Sequence, residues 1–191
     1  MRIAVTGAHG TGKTTLIEDF LDVQRHYEHV QEPYLELPQN GLPFADGPSA
    51  PDLLDQLEQS AQLILATIPT SDVIFDRSPL DYIAYLEIVS EREGIDWSPP
   101  GKLLAKIEKA LASLDLIVLV PLTVPDEITT EIEYPKLRRA VNARLQSIVL
   151  EDTLGLLADG PPTIEISGTR RDRVEKLIHA QSAEVRQATK P

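Results

Sequence analysis

The chain has 191 residues and carries 30 acidic residues against 18 lysines and arginines, which gives a formal net charge of −12. This balance argues against a broad nucleic-acid-binding face, which usually has a basic stripe, although it leaves room for a short nucleic-acid end. The absence of cysteine excludes disulfides and zinc–thiolate sites, and no apolar run approaches the roughly 18 residues that a membrane-spanning helix needs.

The N-terminal segment combines a short strand, a glycine-rich loop and a helix. Residues 2–6 predict a buried strand, and apolar residues at helical spacing follow from Thr14 onward. Between them lies Gly7-Ala8-His9-Gly10-Thr11-Gly12-Lys13-Thr14, which fits the phosphate-binding pattern G-x-x-x-x-G-K-[ST] at every specified position. The glycines allow successive backbone N–H groups to point at phosphate oxygens, and the helix dipole adds to the attraction. This segment, extended by Thr15, is therefore predicted to bind a nucleoside triphosphate.

Two side chains of the loop have specific expected roles. Lys13 should reach the β- and γ-phosphates, and the Thr14 hydroxyl should ligate Mg²⁺. His9 occupies a variable position of the pattern, and Thr15 is expected to pack or to cap the helix. The simpler alternative, a glycine-rich turn between a strand and a helix, does not account for the agreement at every specified position and in the flanking segments.

The second predicted strand, residues 27–31, leads into Glu32 and a proline-rich stretch at about 33–51. Prolines at this density exclude a helix interior or a central strand, so we expect a long surface loop that faces the acceptor substrate. Glu32 could accept a proton from a substrate hydroxyl that attacks the γ-phosphate, or it could hold a ribose hydroxyl. An exposed loop glutamate is the third interpretation. Tyr34, beside Glu32, is a candidate for stacking on a base.

The third predicted strand, residues 73–76, follows a helix predicted over residues 51–68 and ends at Asp76. A carboxylate at this point can hold the water shell of Mg²⁺. The alternative is that Asp76 caps the next helix, but Ser78, which a proline follows, is the better cap. Arg77 is a permanent charge that suits phosphate or carboxylate, with a surface ion pair as its alternative role.

The second half of the chain continues the alternation of strands and helices. Strands are predicted at residues 116–122 and 163–166, and helices at 102–114, about 136–150 and about 170–188. This order predicts an α/β fold, the three-layer P-loop NTPase fold, with a five-stranded parallel sheet and helices on both faces. We expect a single domain over residues 1–191, with its ligands at the carboxyl ends of the strands.

A lid-like helical segment is predicted at about 125–150, and it carries Arg138, Arg139 and Arg144. Phosphoryl transfer needs cations over the transferring group, and an arginine from a closing lid is a common solution. A solvated helical face is the alternative for any one of these side chains. We expect one arginine of the group to act in this way.

Three motifs together resemble the P-loop kinases of the nucleoside and nucleotide kinase-like group: Gly7–Thr14, Glu32-Pro33 and Asp76-Arg77-Ser78. In deoxynucleoside kinases, a Glu-Pro pair after the second strand supplies the catalytic base, and an Asp-Arg-Ser triplet after the third positions substrate and metal. The stretch Asp76-Arg77-Ser78-Pro79-Leu80-Asp81 is more closely similar to the small AAA-type ATP-binding proteins related to the kinase domain of NadR. The resemblance and the motifs suggest a group of catalytic residues: Lys13, Glu32, Arg77, Arg138 and Arg139.

The expected activity is transfer of a phosphoryl group from ATP, with Mg²⁺, to a small metabolite such as a nucleoside or nucleotide, with Glu32 as the acceptor base. The alternatives are an ATP-binding switch or NTPase that acts through a protein partner, and a polynucleotide 5′-hydroxyl kinase. We expect a cytoplasmic protein without membrane contact, since the N-terminal strand leaves no room for a signal peptide. Its partners would be a nucleotide and a small-molecule acceptor, and homodimerisation is left open.

Overall fold

The computed structural model describes residues 1–33, 49–123, 134–158 and 160–188, with residues 184–188 described by their backbone alone. Within these ranges, five strands form one parallel sheet in the order β2-β3-β1-β4-β5. The strands are β1 (Arg2–Thr6), β2 (Glu28–Val30), β3 (Val73–Asp76), β4 (Leu116–Leu119) and β5 (Thr163–Glu165). β1 lies in the centre, with Val5 beside Asp76 of β3 and Thr6 beside Leu119 of β4. The carboxyl ends of these strands therefore meet at one edge of the sheet.

Six helices of the described chain cover the two faces of the sheet. They are α1 (Lys13–Val23), α2 (Ala50–Ala66), α3 (Pro79–Arg92), α4 (Gly101–Ala112), α5 (Pro135–Glu151) and α6 (Arg170–Ala188). α2, α3, α4 and α5 pack with Ala4 of β1 on one face, and α1 and α6 pack with Ile3 and Val5 on the other. Successive residues of a strand point to opposite faces of the sheet. A strand with an unbroken apolar run therefore packs against helices on both faces of the sheet. The predicted three-layer α/β fold is confirmed.

The predicted strands and helices are present, with small shifts of their ends. β4 ends at Leu119 rather than at residue 122. Val120 still donates a sheet-like hydrogen bond to the Thr6 carbonyl, but Pro121 has no N–H with which the pairing could continue. Residues 34–48 of the proline-rich stretch and residues 125–133 of the lid-like segment lie outside the described residues. The single-domain organisation stays a prediction. No helix in the described part of the chain is long and apolar enough to cross a membrane.

Arg2 ties the start of the central strand to the end of α2. Its side chain is buried, and its guanidinium donates to the carbonyl oxygens of Ile64 at 2.6 Å, Ser113 at 2.9 Å and Thr70 at 3.2 Å. The last carbonyls of a helix have no partner within the helix, so they need an external donor when they are buried. Arg2 supplies that donor and fixes α2 against the sheet edge.

Replacing Arg2 by methionine should lower the free energy of unfolding by about 2–4 kcal/mol, because several buried carbonyls lose their donor at once. Arg25 is exposed, so the matched variant Arg25→Met should change stability by no more than about 0.5 kcal/mol. Urea unfolding followed by circular dichroism measures both. Equal, small effects of the two variants would contradict this account of Arg2.

Candidate functional site

The phosphate-binding loop follows β1 at the carboxyl edge of the sheet and leads into α1. Gly10 and Gly12 have φ angles of 67° and 87°, in the left-handed region that favours glycine. A Cβ atom at Gly7 would lie 2.5 Å from the carbonyl oxygen of Val120, so a larger residue does not fit beside the end of β4. Among the described residues, no side chain caps the start of α1. The N–H groups of its first turn are therefore oriented to receive an anion.

Lys13 is buried beneath this loop. Its Nζ atom donates to the carbonyl oxygen of Ala8 at 3.1 Å. Burial first, and then the neighbouring charge of Arg77, lowers the pKa of Lys13 to about 8. Phosphate oxygens beside Nζ would favour the charged form and raise the pKa again. The environment of Lys13 is therefore one that a bound anion would stabilise.

Thr14 and Asp76 come together from two separate sequence motifs. The Thr14 hydroxyl donates to Oδ2 of Asp76 at 2.7 Å, while Oδ1 of Asp76 is buried without a hydrogen-bond partner among the described residues. In nucleotide sites Mg²⁺ is held by oxygen ligands, usually one or two protein groups together with phosphates and water. A hydroxyl and a partly unsatisfied carboxylate at this position fit such an ion.

An ion pair between Glu32 and Arg77 lies next to the loop. Arg77 Nε donates to the Glu32 carboxylate, and the rings of Tyr82 and Tyr85 lie 6.0 and 5.9 Å from the guanidinium carbon. The Glu32 side chain is only 24% exposed, so it is not a freely solvated loop glutamate. Burial would raise the pKa of Glu32, but the charge and the hydrogen bond of Arg77 outweigh burial and hold that pKa below its usual value. Glu32 is therefore ionised at neutral pH and able to accept a hydrogen bond from a hydroxyl.

Asp81 lies behind this ion pair and is completely buried, at 0% exposure. It accepts hydrogen bonds from the Gly7 N–H at 3.0 Å and from the Thr6 hydroxyl, and it forms a capping box with Ser78 at the start of α3. Sequence reasoning missed the contacts with the loop. The spacing of Ser78 and Asp81 is a capping signal, which predicts local contacts within α3 and nothing beyond them.

Two buried arginines bind carbonyl oxygens of the loop. Arg138, on α5, donates to the carbonyl oxygens of His9 at 2.6 Å and Gly10 at 2.7 Å. Arg173, on α6, donates to the carbonyl oxygen of Thr11 at 2.8 Å. Both guanidinium groups therefore fix the backbone of the loop and place positive charge next to it.

The predicted lid arginines therefore differ in position. Arg138 is buried against the loop, whereas Arg139 is exposed. Arg144 lies further along α5, with its guanidinium 3.6 Å from Glu87 and 3.8 Å from Glu91 on α3. Of the three, Arg138 is the one that contacts the phosphate-binding loop.

A narrow cleft beside the ion pair separates the ends of β2 and β3 from α2, and Val30 and Ser60 are among its lining residues. Ser60 and Gln56, one turn before it, are buried polar side chains on a helix face that is otherwise apolar. The Tyr82 hydroxyl is also buried, without a hydrogen-bond partner among the described residues. Sequence reasoning missed Gln56 and Ser60, although polar residues four apart within an apolar stripe are the signal that could have found them. Tyr34, the predicted stacking residue, lies outside the described residues.

A parallel sheet with a phosphate-binding loop after its central strand, and an aspartate at the end of the neighbouring strand, defines the P-loop NTPase fold. A family model described as an AAA domain matches residues 2–173, and the chain belongs to this family. The sequence has no significant match among curated proteins.

Several solved structures share the fold. The deoxyadenosine kinase of M. mycoides, with dCMP and a flexible dCDP bound, is 14% identical with a TM-score of 0.65, and the match covers 96% of this chain and 100% of that chain. NadR, in complex with NAD and AMP-PNP, is 17% identical with a TM-score of 0.62, over 93% of this chain but only 48% of NadR. YorR of Bacillus subtilis, bound to phosphorylated GDP, is 14% identical with a TM-score of 0.55, over 96% and 97% of the two chains. At these identities the likeness concerns the fold, and at that level it confirms the predicted resemblance to P-loop kinases.

Gly7→Ala should weaken binding of AMP-PNP with Mg²⁺ by an amount equivalent to about 1–3 kcal/mol, because the new Cβ pushes the loop away from β4. Gly101 has nothing within 4 Å of the position of a Cβ, so Gly101→Ala is the matched control and should bind normally. Isothermal titration calorimetry measures both affinities. Unchanged binding in Gly7→Ala would contradict the close approach of the loop to β4.

Proposed function

We propose that the chain is an ATP- and Mg²⁺-dependent kinase of a small metabolite, with a nucleoside or nucleotide as the acceptor. The observation that carries this proposal is the ion pair of Glu32 with buried Arg77, which lies beside the phosphate-binding loop. Catalysis of phosphoryl transfer consists mainly of positioning and charge stabilisation. An oriented carboxylate at the acceptor side of a triphosphate site supplies the group that positions a substrate hydroxyl.

In the proposed reaction, the acceptor hydroxyl lies between Glu32 and the γ-phosphate. Its oxygen forms a bond to the γ-phosphorus while the bond from that phosphorus to the β,γ-bridging oxygen breaks, and ADP leaves. The Glu32 carboxylate takes the hydroxyl proton. Lys13 stays with the negative charge as it moves to the bridging oxygen. Mg²⁺, held by Thr14 and Asp76, would neutralise charge on the phosphate oxygens.

Arg138 is the arginine that we propose to act over the phosphates. It already lies against the loop, bonded to the carbonyls of His9 and Gly10, and a change of side-chain conformation would turn it towards a γ-phosphate. Arg139 is exposed on the same helix, and no hydrogen bond among the described residues joins it to the loop. The proposal therefore favours Arg138 over Arg139 for this role.

The acceptor class is supported by proteins of the same fold. The deoxyadenosine kinase and NadR structures contain deoxynucleotides, NAD or NR. The net charge of −12 disfavours a long nucleic acid as the acceptor.

ADP release in the presence of nucleosides, nucleotides and 5′-hydroxyl oligonucleotides tests the proposal. We expect stimulation by at least one nucleoside or nucleotide, and Glu32→Gln should lower that stimulated rate by about 10²–10⁴-fold, since general-base catalysis has this magnitude. Glu28→Gln, an exposed residue of β2, is the control and should leave the rate unchanged.

Two outcomes would overturn the proposal of a small-metabolite kinase. One is ATP hydrolysis that no acceptor stimulates and that Glu32→Gln leaves untouched, which would favour a nucleotide-dependent switch. The other is stimulation by oligonucleotides alone, which would identify a polynucleotide kinase.

Asp76→Asn should raise the Mg²⁺ concentration needed for half-maximal ADP release by about ten-fold or more, because a neutral amide is a poorer ligand for a hard cation than a carboxylate. Asp22→Asn, an exposed position in α1, should leave the Mg²⁺ dependence unchanged. A lower rate in Asp76→Asn with an unaltered Mg²⁺ curve would contradict the metal role of Asp76.

A further inference from the structure

One buried carboxylate, that of Asp81, contacts both the phosphate-binding loop and the Glu32–Arg77 ion pair. We propose that Asp81 is a positioning residue that couples nucleotide binding at the loop to the position of Arg77 on the acceptor side. The inference rests on the proposed function in one respect, namely that the loop binds a nucleotide. No motif considered in the sequence assigns this role to Asp81.

The two oxygens of Asp81 face different partners. Oδ1 accepts the Gly7 N–H at 3.0 Å and lies 3.3 Å from Nη1 of Arg77. Oδ2 accepts the Ser78 N–H at 2.9 Å and the Thr6 hydroxyl. Arg77 Nη1 in turn lies 3.4 Å from the Gly7 carbonyl oxygen. Gly7, the first residue of the loop, is thus held at its N–H by Asp81 and at its carbonyl by Arg77.

Helix capping does not explain these contacts. A capping box satisfies backbone groups at the start of its own helix, which here means α3. The bond to Gly7 joins residues 74 apart in the chain, and the bond to Thr6 joins residues 75 apart. A buried charge held by several well-placed donors has little freedom to move. If phosphate binding shifts Gly7, Asp81 and Arg77 must shift with it, because both are bonded to Gly7. Arg77 in turn forms the ion pair with Glu32.

Asparagine cannot reproduce this set of contacts. The partners of Oδ1 are donors only, and one partner of Oδ2, the Ser78 N–H, is also a donor only. An amide NH₂ in either orientation therefore faces at least one donor, and the negative charge opposite Arg77 is lost as well. Asp81→Asn should disturb both sides of the site with little change in side-chain volume.

The experiment follows the Arg77 Nε–H signal by ¹⁵N NMR of the full chain while AMP-PNP is titrated with Mg²⁺. Arg77→Lys identifies the signal by removing it. In the wild type, we expect the signal to shift along the same saturation curve as the amide of Gly10 in the loop. In Asp81→Asn, we expect AMP-PNP binding to be about ten-fold weaker, because a buried donor is left unpaired. We also expect that the Arg77 signal no longer shifts as AMP-PNP saturates the loop.

Asp172→Asn is the matched control. Asp172 caps the start of α6 by accepting from the N–H and hydroxyl of Thr169, and this is the same change at an equivalent capping position. It should leave both the affinity and the Arg77 shift within about two-fold of the wild type. If Asp81→Asn does not fold, Thr6→Val, which removes only one hydroxyl bond, takes its place and should reduce the Arg77 shift.

Three results would overturn the inference. A stationary Arg77 signal in the wild type at AMP-PNP saturation would show that the two sides are not coupled. An Arg77 shift that survives in Asp81→Asn would show that the coupling does not pass through Asp81, and so would a shift of undiminished size in Thr6→Val if the first variant is unfolded. If AMP-PNP does not bind the wild type at all, the proposed function is wrong and the inference that rests on it falls too.

Discussion

The buried guanidinium of Arg77 is the group on which the arrangement of the site depends. It contacts Glu32 after β2, Asp81 in α3 and the carbonyl of Gly7 after β1. Burial disfavours its charge, but the nearby carboxylates, Glu32 foremost, outweigh burial and hold the pKa of Arg77 above its ordinary value. Its backbone has a φ of 79°, a conformation that costs a non-glycine residue free energy and persists only where the surroundings fix it. Removing one of the two carboxylates would leave this buried charge only partly compensated, which costs free energy of folding.

The fold and the phosphate-binding loop could be predicted because both depend on local sequence. Strands and helices follow from the spacing of apolar residues, and the loop follows from glycines at fixed positions before Lys13. The meeting of Thr14 and Asp76 could also be anticipated, since both follow neighbouring strands whose carboxyl ends lie at one edge. The different positions of Arg138 and Arg139 could not, because they depend on how α5 is rotated against the loop. Asp81 was missed for the same reason: its long-range contacts arise only once α3 lies beside β1.

Several carbonyls of the loop are bound by arginines. Those of His9, Gly10 and Thr11 accept hydrogen bonds from Arg138 and Arg173. The start of α1 has no side-chain cap among the described residues, so its N–H groups remain for an anion. Lys13 adds a buried cation whose pKa burial lowers to about 8, and bound phosphate oxygens would stabilise its charged form.

The contact between Arg173 and Thr11 joins residues 162 apart in the chain. During synthesis at the ribosome, the phosphate-binding loop leaves the exit tunnel long before α6 is made. The nascent chain therefore carries the phosphate-binding loop well before the guanidinium that supports Thr11 has been made. This contact can form only after α6 has left the ribosome, so the loop reaches its fully supported conformation late relative to its own synthesis.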